Sequence, residues 1–368
     1  MDINYQAPSN PLGYGVAGLQ IALALHRAGH KVAWWPIGHV DIDQNQKSMV
    51  EEMVDNQARF NIHAPSVRVW HQFDMAQHIG RGIHCGFPIF ELTNFNDREK
   101  YHLNSLDWIL VCSDWAKHIV RANLRNRSGD TIGVVPLGVD RTIFHENVAT
   151  PQSGWTTFLN IGKWEIRKGH DILVEAFNKA FQPRDRVRLW MMNHNPFLSE
   201  SQTNDWQRKY ALSKLGSKIS FLPRVKTHSE VARIMGEANC GVFPSRAEGW
   251  NLELLEMMSV GKHVITTNYS AHTEFCDNTN CSLIDIDTLE DAEDGLWFHN
   301  QGQWAHLGSP QLEQLITAMR KVHQCVQGGE LINTNGINTA QRFTWENSAE
   351  RLITSIKMSE VACGYIRQ

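Results

Sequence analysis

Short apolar runs alternate along the chain with longer stretches whose apolar positions recur at helical spacing. The first run, residues 2–6, is followed by a turn-rich loop to Gly15. Residues 16–28 then carry Leu19, Ala22, Leu23 and Leu25 on one helical face and end at Gly29, before a second strand-like run at 31–35. Strand, glycine loop, helix, strand is a βαβ unit, which implies a parallel sheet. Further strands are expected at 67–70, 83–90, 108–112 and from 132, with a helix at 113–124 capped by Ser113. The pattern then restarts. Strands at 156–161, 187–192, 219–222, 240–243 and 263–267 alternate with helices at 171–181, near 204–214, at 229–237, from 252 and at 311–326. Residues 344–358, with Trp345, Ala349, Leu352, Ile353 and Ile356, form a last amphipathic helix. A chain of 368 residues with two such series is expected to make two α/β domains. The polar stretch 146–154 marks the boundary, giving domains at 1–150 and 151–345 and a closing segment at 346–368.

Composition narrows the chemistry. With 35 Lys and Arg against 39 Asp and Glu, the net charge of −4 lacks the signature of a polyelectrolyte binder. Seven scattered cysteines fit a reducing compartment better than a disulfide framework, and the neighbours Cys276 and Cys281 have no second pair at metal-ligand spacing. The opening residues lack the basic and apolar regions of a secretory leader, and no run approaches the ~20 apolar residues of a membrane span, so a cytoplasmic setting is expected. The loop at Gly13-Tyr14-Gly15 is not the full Gly-x-Gly-x-x-Gly fingerprint, and Trp35-Pro36 stands where a dinucleotide fold places an acidic residue.

The most informative stretch is residues 243–261. An apolar strand ends at Pro244, a short polar loop follows, and Leu252, Leu255 and Met258 begin a helix stopped by Gly261. A strand entering a helix through such a loop leaves amides free at the positive end of the helix dipole, a setting that suits a phosphate or sugar hydroxyl. Glu248 and Glu256 frame the turn. In the earlier loop 162–169, Lys163 and Lys168 stand at the carboxyl end of a strand, where two ammonium groups can converge on a leaving diphosphate.

This Glu-x7-Glu turn resembles the donor-site signature of retaining GT-B glycosyltransferases of family four (glycosyl transferases group 1). Pro136-Leu-Gly-Val-Asp140 with Phe144, and Gly162-Lys163 with Lys168-Gly169, resemble two other segments of that family, although Lys163 replaces its usual arginine and loses the bidentate fork. The resemblance implies two Rossmann-like domains facing across a cleft and a nucleotide-sugar donor. It implies catalytic roles for Lys163, Lys168 and Glu248, the lysines toward the leaving diphosphate and Glu248 toward the sugar. Donor-binding roles fall to Gly13, Gly15, Gly249, Trp250, Asn251, Leu252 and Glu256, the last toward the ribose hydroxyls. Arg224 lies in the loop that would hold the nucleobase. An active-site histidine of several members is replaced here near Phe90-Glu91, leaving Glu91 as the acceptor-side candidate; His71 and His84 read as structural.

The expected reaction is transfer of a hexose from a nucleoside diphosphate to an acceptor hydroxyl with retention, on a glycan or lipid-linked acceptor; a nucleic-acid acceptor is disfavoured. No cofactor beyond the donor and no dedicated metal is expected. Asp41-Ile42-Asp43 and Asp285-Ile286-Asp287 match the Asp-x-Asp of metal-dependent glycosyltransferases but lie away from its usual place. A glycosidase pairing of Glu248 with Glu256 fits badly, because eight helical residues rise roughly 12 Å. The alternative is a catalytically silent nucleotide-sugar sensor on the same scaffold. Lys117, Arg121 and Arg125 recur every four residues as a basic stripe. It reads as a solvated face, a contact for an anionic leaflet or a grip on a charged acceptor.

Overall fold

A computed structural model describes residues 1–125, 127 and 131–364. The chain divides into two compact units, Met1–Gly138 joined by the chain from Phe343, and Val139–Arg342.

The first unit is built on β1 (Asp2–Ser9), α1 (Gly13–Arg27), β2 (Lys31–Val40), α2 (Lys47–Asp55), β3 (Ser66–Trp70), β4 (His84–Pro88), α3 (Asp97–Asn104), β5 (Trp108–Val111), α4 (Asp114–Asn123) and β6 (Ile132–Val134). Its six strands run β2-β1-β3-β4-β5-β6, every pairing parallel. Strands β1, β3, β4 and β5 are buried almost throughout, as a parallel sheet covered on both faces requires. The strand–helix alternation is therefore as the pattern predicts.

Two local expectations change. Helix α1 starts at Gly13, so Gly13 and Gly15 lie in its first turn and not in a preceding loop. A Cβ on Gly15 would stand 2.2 Å from the carbonyl oxygen of Asn10, so that position requires glycine; one on Gly13 would meet nothing within 4 Å. Helix α4 ends at Asn123, with Leu124 already non-helical, so Arg125 falls off the stripe and only Lys117 and Arg121 share a helical face.

The second unit contains β7 (Thr156–Gly162), α5 (His170–Ala180), β8 (Val187–Asn193), α6 (Glu200–Ala211), β9 (Ile219–Phe221), α7 (His228–Glu237), β10 (Cys240–Phe243), α8 (Leu252–Ser259), β11 (His263–Thr267) and β12 (Ser282–Ile284). An antiparallel hairpin follows, β13 (Leu289–Glu293) and β14 (His299–Ala305), then α9 (Ser309–Gln327) and α10 (Thr334–Arg342). The main sheet runs β12-β11-β10-β7-β8-β9, again all parallel. Its core gathers Phe158, Trp164, Leu173, Phe177, Leu189, Tyr210, Val242, Leu315 and Met319. Strand order reverses between β7 and β10, and open parallel sheets bind ligands at the carboxyl ends flanking such a switch point. The loops leaving β7 and β10 are the two singled out above.

The unit boundary falls earlier than the polar stretch 146–154. The reason is packing: Ser259 Oγ donates to the Phe144 carbonyl, 2.5 Å away, and Gly236 closes on Val148 and Ala149. Residues 139–154 are thereby fastened to the second unit. The return falls at Phe343, close to the predicted final helix, which runs Trp345–Ala362 (α11) behind the N-cap Thr344. In the first unit α11 lies on β5, where Trp108 Nε1 donates to Ser355 Oγ at 2.9 Å. Among the described residues no helix is long and apolar enough to cross a membrane.

Candidate active site

The loop after β7 is fixed from within. Trp164 is fully buried, its ring stacked on Trp206 at 5.7 Å and edge-on to Tyr210 at 5.4 Å. His170, at the start of α5, accepts the Glu165 N–H on Nδ1 and turns Nε2 toward Asn160 Oδ1. Burial pushes its pKa down to about 4, so this imidazole is neutral and structural. Gly169 closes the loop with φ +72° and its Cα against the Pro244 carbonyl; an added Cβ would sit 2.0 Å from that oxygen. The loops after β7 and β10 are thus in backbone contact, and Arg246 N–H donates to the Arg167 carbonyl at 2.7 Å.

Across this contact runs an alternating ladder of charge. Lys163 Nζ lies 2.6 Å from Glu165 Oε1, and Glu165 Oε2 lies 2.7 Å from Arg167. Arg167 reaches on to Glu248 Oε2 at 2.9 Å, and Glu248 Oε1 meets Lys168 Nζ at 2.8 Å. Three cations and two carboxylates leave the ladder with one net positive charge. Burial alone would raise the pKa of both carboxyls. Lys168 and Arg167 nevertheless hold Glu248 far below its ordinary value, and Arg167 and Lys163 depress Glu165. Lys168 is pushed up despite its burial, by Glu248 and Glu253. The inner members are buried, whereas the ends open outward: Lys168 is 12% exposed and Lys163 33%.

Glu248 is further tied down. Ser245 Oγ donates to its Oε1 at 2.8 Å, and its own N–H donates to Ser270 Oγ at 2.8 Å. Gly249 and Trp250 are buried in the turn. Asn251 adopts a left-handed conformation, φ +84°, and caps α8 by accepting the Leu254 N–H. Its Nδ2 donates to His272 Nε2 at 2.9 Å, while His272 Nδ1 faces the Thr267 carbonyl at 3.1 Å. Burial lowers this histidine too, to about 4, so it serves as a neutral brace for the cap. Asn251 takes only the third amide of the turn; among the described residues the Leu252 and Glu253 amides donate to no protein acceptor. That leaves two N–H groups at the positive end of α8, on the same turn as Lys168's partner.

Residues 156–296 match the family model described as Glycosyl transferases group 1. That stretch of the second unit is similar to a group 1 glycosyl transferase domain. An uncharacterized glycosyltransferase of Methanocaldococcus jannaschii is 27% identical over 171 residues, which cover 46% of this chain and 42% of that protein. Among solved structures, sucrose-phosphate synthase of Thermosynechococcus elongatus superposes with TM-score 0.71 over 98% of this chain and 100% of its own, at 15% identity. A glycosyltransferase of Rickettsia africae gives 0.69 at 15% identity, covering 97% and 98%. Anabaena HepE in complex with UDP-glucose gives 0.66 at 13% identity over the full length of both chains. The two parallel-sheet Rossmann-like units are therefore those of the GT-B glycosyltransferase fold.

In the second unit Lys163, Lys168 and Glu248 come together, with Asn251 and Leu252 at the helix start. Glu256 stands one turn further along α8, half-buried; burial and the nearby Glu253 raise its pKa well above the ordinary range. Arg224 is exposed in the loop after β9. Gly13, Gly15 and Glu91 belong to the first unit. There Tyr14 donates its hydroxyl to the Ile89 carbonyl and packs on His71 at 4.4 Å, and the Glu91 charge, after burial, helps raise the tyrosine pKa. The residue that spacing missed is Arg167, the central rung. The alternation Lys163, Glu165, Arg167 within one loop was its visible signal.

Proposed function

We propose that the protein is a retaining hexosyltransferase that takes its sugar from a nucleoside diphosphate. The observation that carries this reading is the charge ladder, which ties Lys163 and Lys168 to Glu248 in the turn that enters α8. In the transfer, the bond between the anomeric carbon and the phosphate oxygen breaks and its electron pair passes to the phosphate. The acceptor oxygen bonds the same face of that carbon and its proton moves to the departing phosphate. Lys163, Lys168 and the Leu252 and Glu253 amides would stabilise the charge as it grows. Glu248 has Lys168 and Ser245 on one oxygen and Arg167 on the other, so its role is to hold the two cations in place and not to attack carbon. Glu256 would accept from the ribose hydroxyls.

The acceptor we favour is a glycan or lipid-linked hydroxyl. Lys117 and Arg121 of α4 and Arg351 of α11 line an open groove of about 840 Å³ along β6 in the first unit. Among the described residues none of these three has a carboxylate within ion-pair distance. Such unpaired cations suit an anionic leaflet. Thermal stabilisation by UDP-, GDP-, ADP- and TDP-sugars, followed by NMR of the product's anomeric configuration, tests the function. Stabilisation without turnover across a broad acceptor set would favour a sensor, and an inverted product would refute the retaining chemistry.

A further inference from the structure

The hairpin β13–β14 is fastened to the ladder's loops at its base and carries an exposed aromatic ring at its tip. At the base, buried Arg246 donates to the Ile166 carbonyl, grips Asp171 with two bonds of 2.8 Å and reaches Glu290 of β13 at 2.6 Å. The Ala305 N–H donates to the Arg246 carbonyl. At the tip, one carboxylate oxygen of Asp294 accepts the N–H groups of Leu296, Trp297 and Phe298 at 2.7 to 2.9 Å, which fixes the turn that presents Trp297. Trp297 is 52% exposed and meets Phe197 edge-on at 5.4 Å. Phe197 is itself 51% exposed, and its ring lies 5.7 Å from Lys163 Nζ. Its backbone is fixed as well: buried Asn195 accepts the Phe197 N–H and donates to the Trp164 carbonyl. Two large aromatic rings are thus held toward solvent by hydrogen-bonded backbone, Phe197 beside the outermost cation of the ladder and Trp297 against Phe197.

We infer that Phe197 and Trp297 form a seat on which the base of the nucleotide donor stacks. The inference rests on the donor reading above. Lys163 marks the phosphate end. Strand β8 lies between β7 and β9, so the segment carrying Phe197 leaves the sheet between the Lys163 loop and the exposed loop of Arg224. A nucleoside whose phosphates engage Lys163 has its base within one nucleotide length of the Phe197 ring, and every base offers a π-face to such a platform. Nucleoside affinity, but not the choice among bases, then depends on a hairpin outside the main sheet, with the phosphate machinery left unchanged.

Titration calorimetry with UDP, GDP, ADP and inorganic pyrophosphate, on the full chain and on its Trp297→Ala and Phe197→Ala variants, separates stacking from phosphate binding. Both side chains are exposed, so the variants should keep the parent melting temperature. Affinity for the tightest nucleoside diphosphate should fall about five- to 160-fold in each variant, the range that base–aromatic stacking spans, while pyrophosphate affinity in Trp297→Ala stays within twofold. Nucleoside diphosphate affinity within twofold of wild type in both variants would overturn the seat, as would a loss seen only with UDP-glucose and not with UDP. If wild type binds neither nucleotide nor pyrophosphate, the donor reading itself falls, and the seat with it.

Discussion

Replacing Glu248 with glutamine tests whether the ladder is an electrostatic unit. The change keeps the shape and one acceptor oxygen but puts an amide NH2 against a cation and removes the charge between Arg167 and Lys168. Arg167 keeps Glu165 and the Ala247 carbonyl, whereas Lys168 loses its bonded carboxylate. Removing one partner of a buried pair costs about 3–5 kcal/mol, and the surviving Arg167 contacts place this case near 3. For a unit of this size each kcal/mol moves the melting temperature by about 2–4 °C, so Glu248→Gln should melt roughly 6–12 °C lower at pH 7. Because Glu248 is held below its unfolded value, its contribution is complete above the unfolded carboxyl range and is lost as pH falls through the depressed folded value. The gap between the proteins should therefore be constant from pH 7 to about 5 and narrow below about 4.3. Scanning calorimetry across that range gives the measurement. A shift under about 2 °C at neutral pH, or a gap that widens on acidification, refutes Glu248 as the balancing charge.

Lys163→Met removes the half-open end of the ladder but leaves one oxygen of buried Glu165 without its ammonium partner, so it should cost about 1–3 kcal/mol of stability and weaken pyrophosphate binding about tenfold or more, checked by calorimetry and titration. If Glu256 binds ribose as a carboxylate, nucleoside diphosphate affinity should climb as pH rises through its elevated pKa; Glu253→Gln removes one cause of that elevation and should move the climb to lower pH. Gly169→Ala puts a Cβ into the Pro244 carbonyl at positive φ and should destabilise by about 2–4 kcal/mol, read from urea unfolding. Vesicles rich in anionic lipid should sediment the protein at low salt and release it near 0.5 M, and Lys117→Glu with Arg121→Glu should abolish the effect; sedimentation indifferent to both would remove the leaflet contact.

The main strands were legible because each parallel strand is a short apolar run between turn residues, and the long helices because they bury one face. Two of the elements that escaped, α3 and β13, lack those signals. Helix α3 (DREKYHLN) is polar almost throughout and is announced only by the reciprocal Asn96–Glu99 cap. Strand β13 (LEDAE) is acidic and mostly exposed, pairing with β14 outside the main sheet, so neither hydrophobic runs nor parallel connectivity betrays it. The same limit applies to the site. Lysines after a strand and a glutamate in a helix-entry loop are chemically suggestive types, and they could be picked out one by one. The alternation of charge in the first loop hints at Arg167, but its bond to Glu248 could not be read, because it spans 81 positions and exists only after two loops meet at the switch point. Glu248 was readable as a site residue, but whether it faced sugar or cations depends on those same long-range neighbours.

The order of charges along the ladder bears on which groups a ligand can reach. Glu248 and Arg167 are each paired with two opposite charges and one further hydrogen-bond partner within the protein, so an incoming diphosphate gains little by displacing either and would leave a buried charge unpaired. Lys168 shares its carboxylate with Arg167, so it can turn a second N–H outward without abandoning Glu248. Lys163 is held by one carboxylate, is a third exposed, and has Phe197 on its open side. Of the three cations it is the one that can exchange its partner at least cost. Arginine at that position would grip Glu165 with a planar fork and lose more on release. A lysine there makes the outer rung a replaceable contact, so that ligand binding and the aromatic seat converge on the same ammonium group.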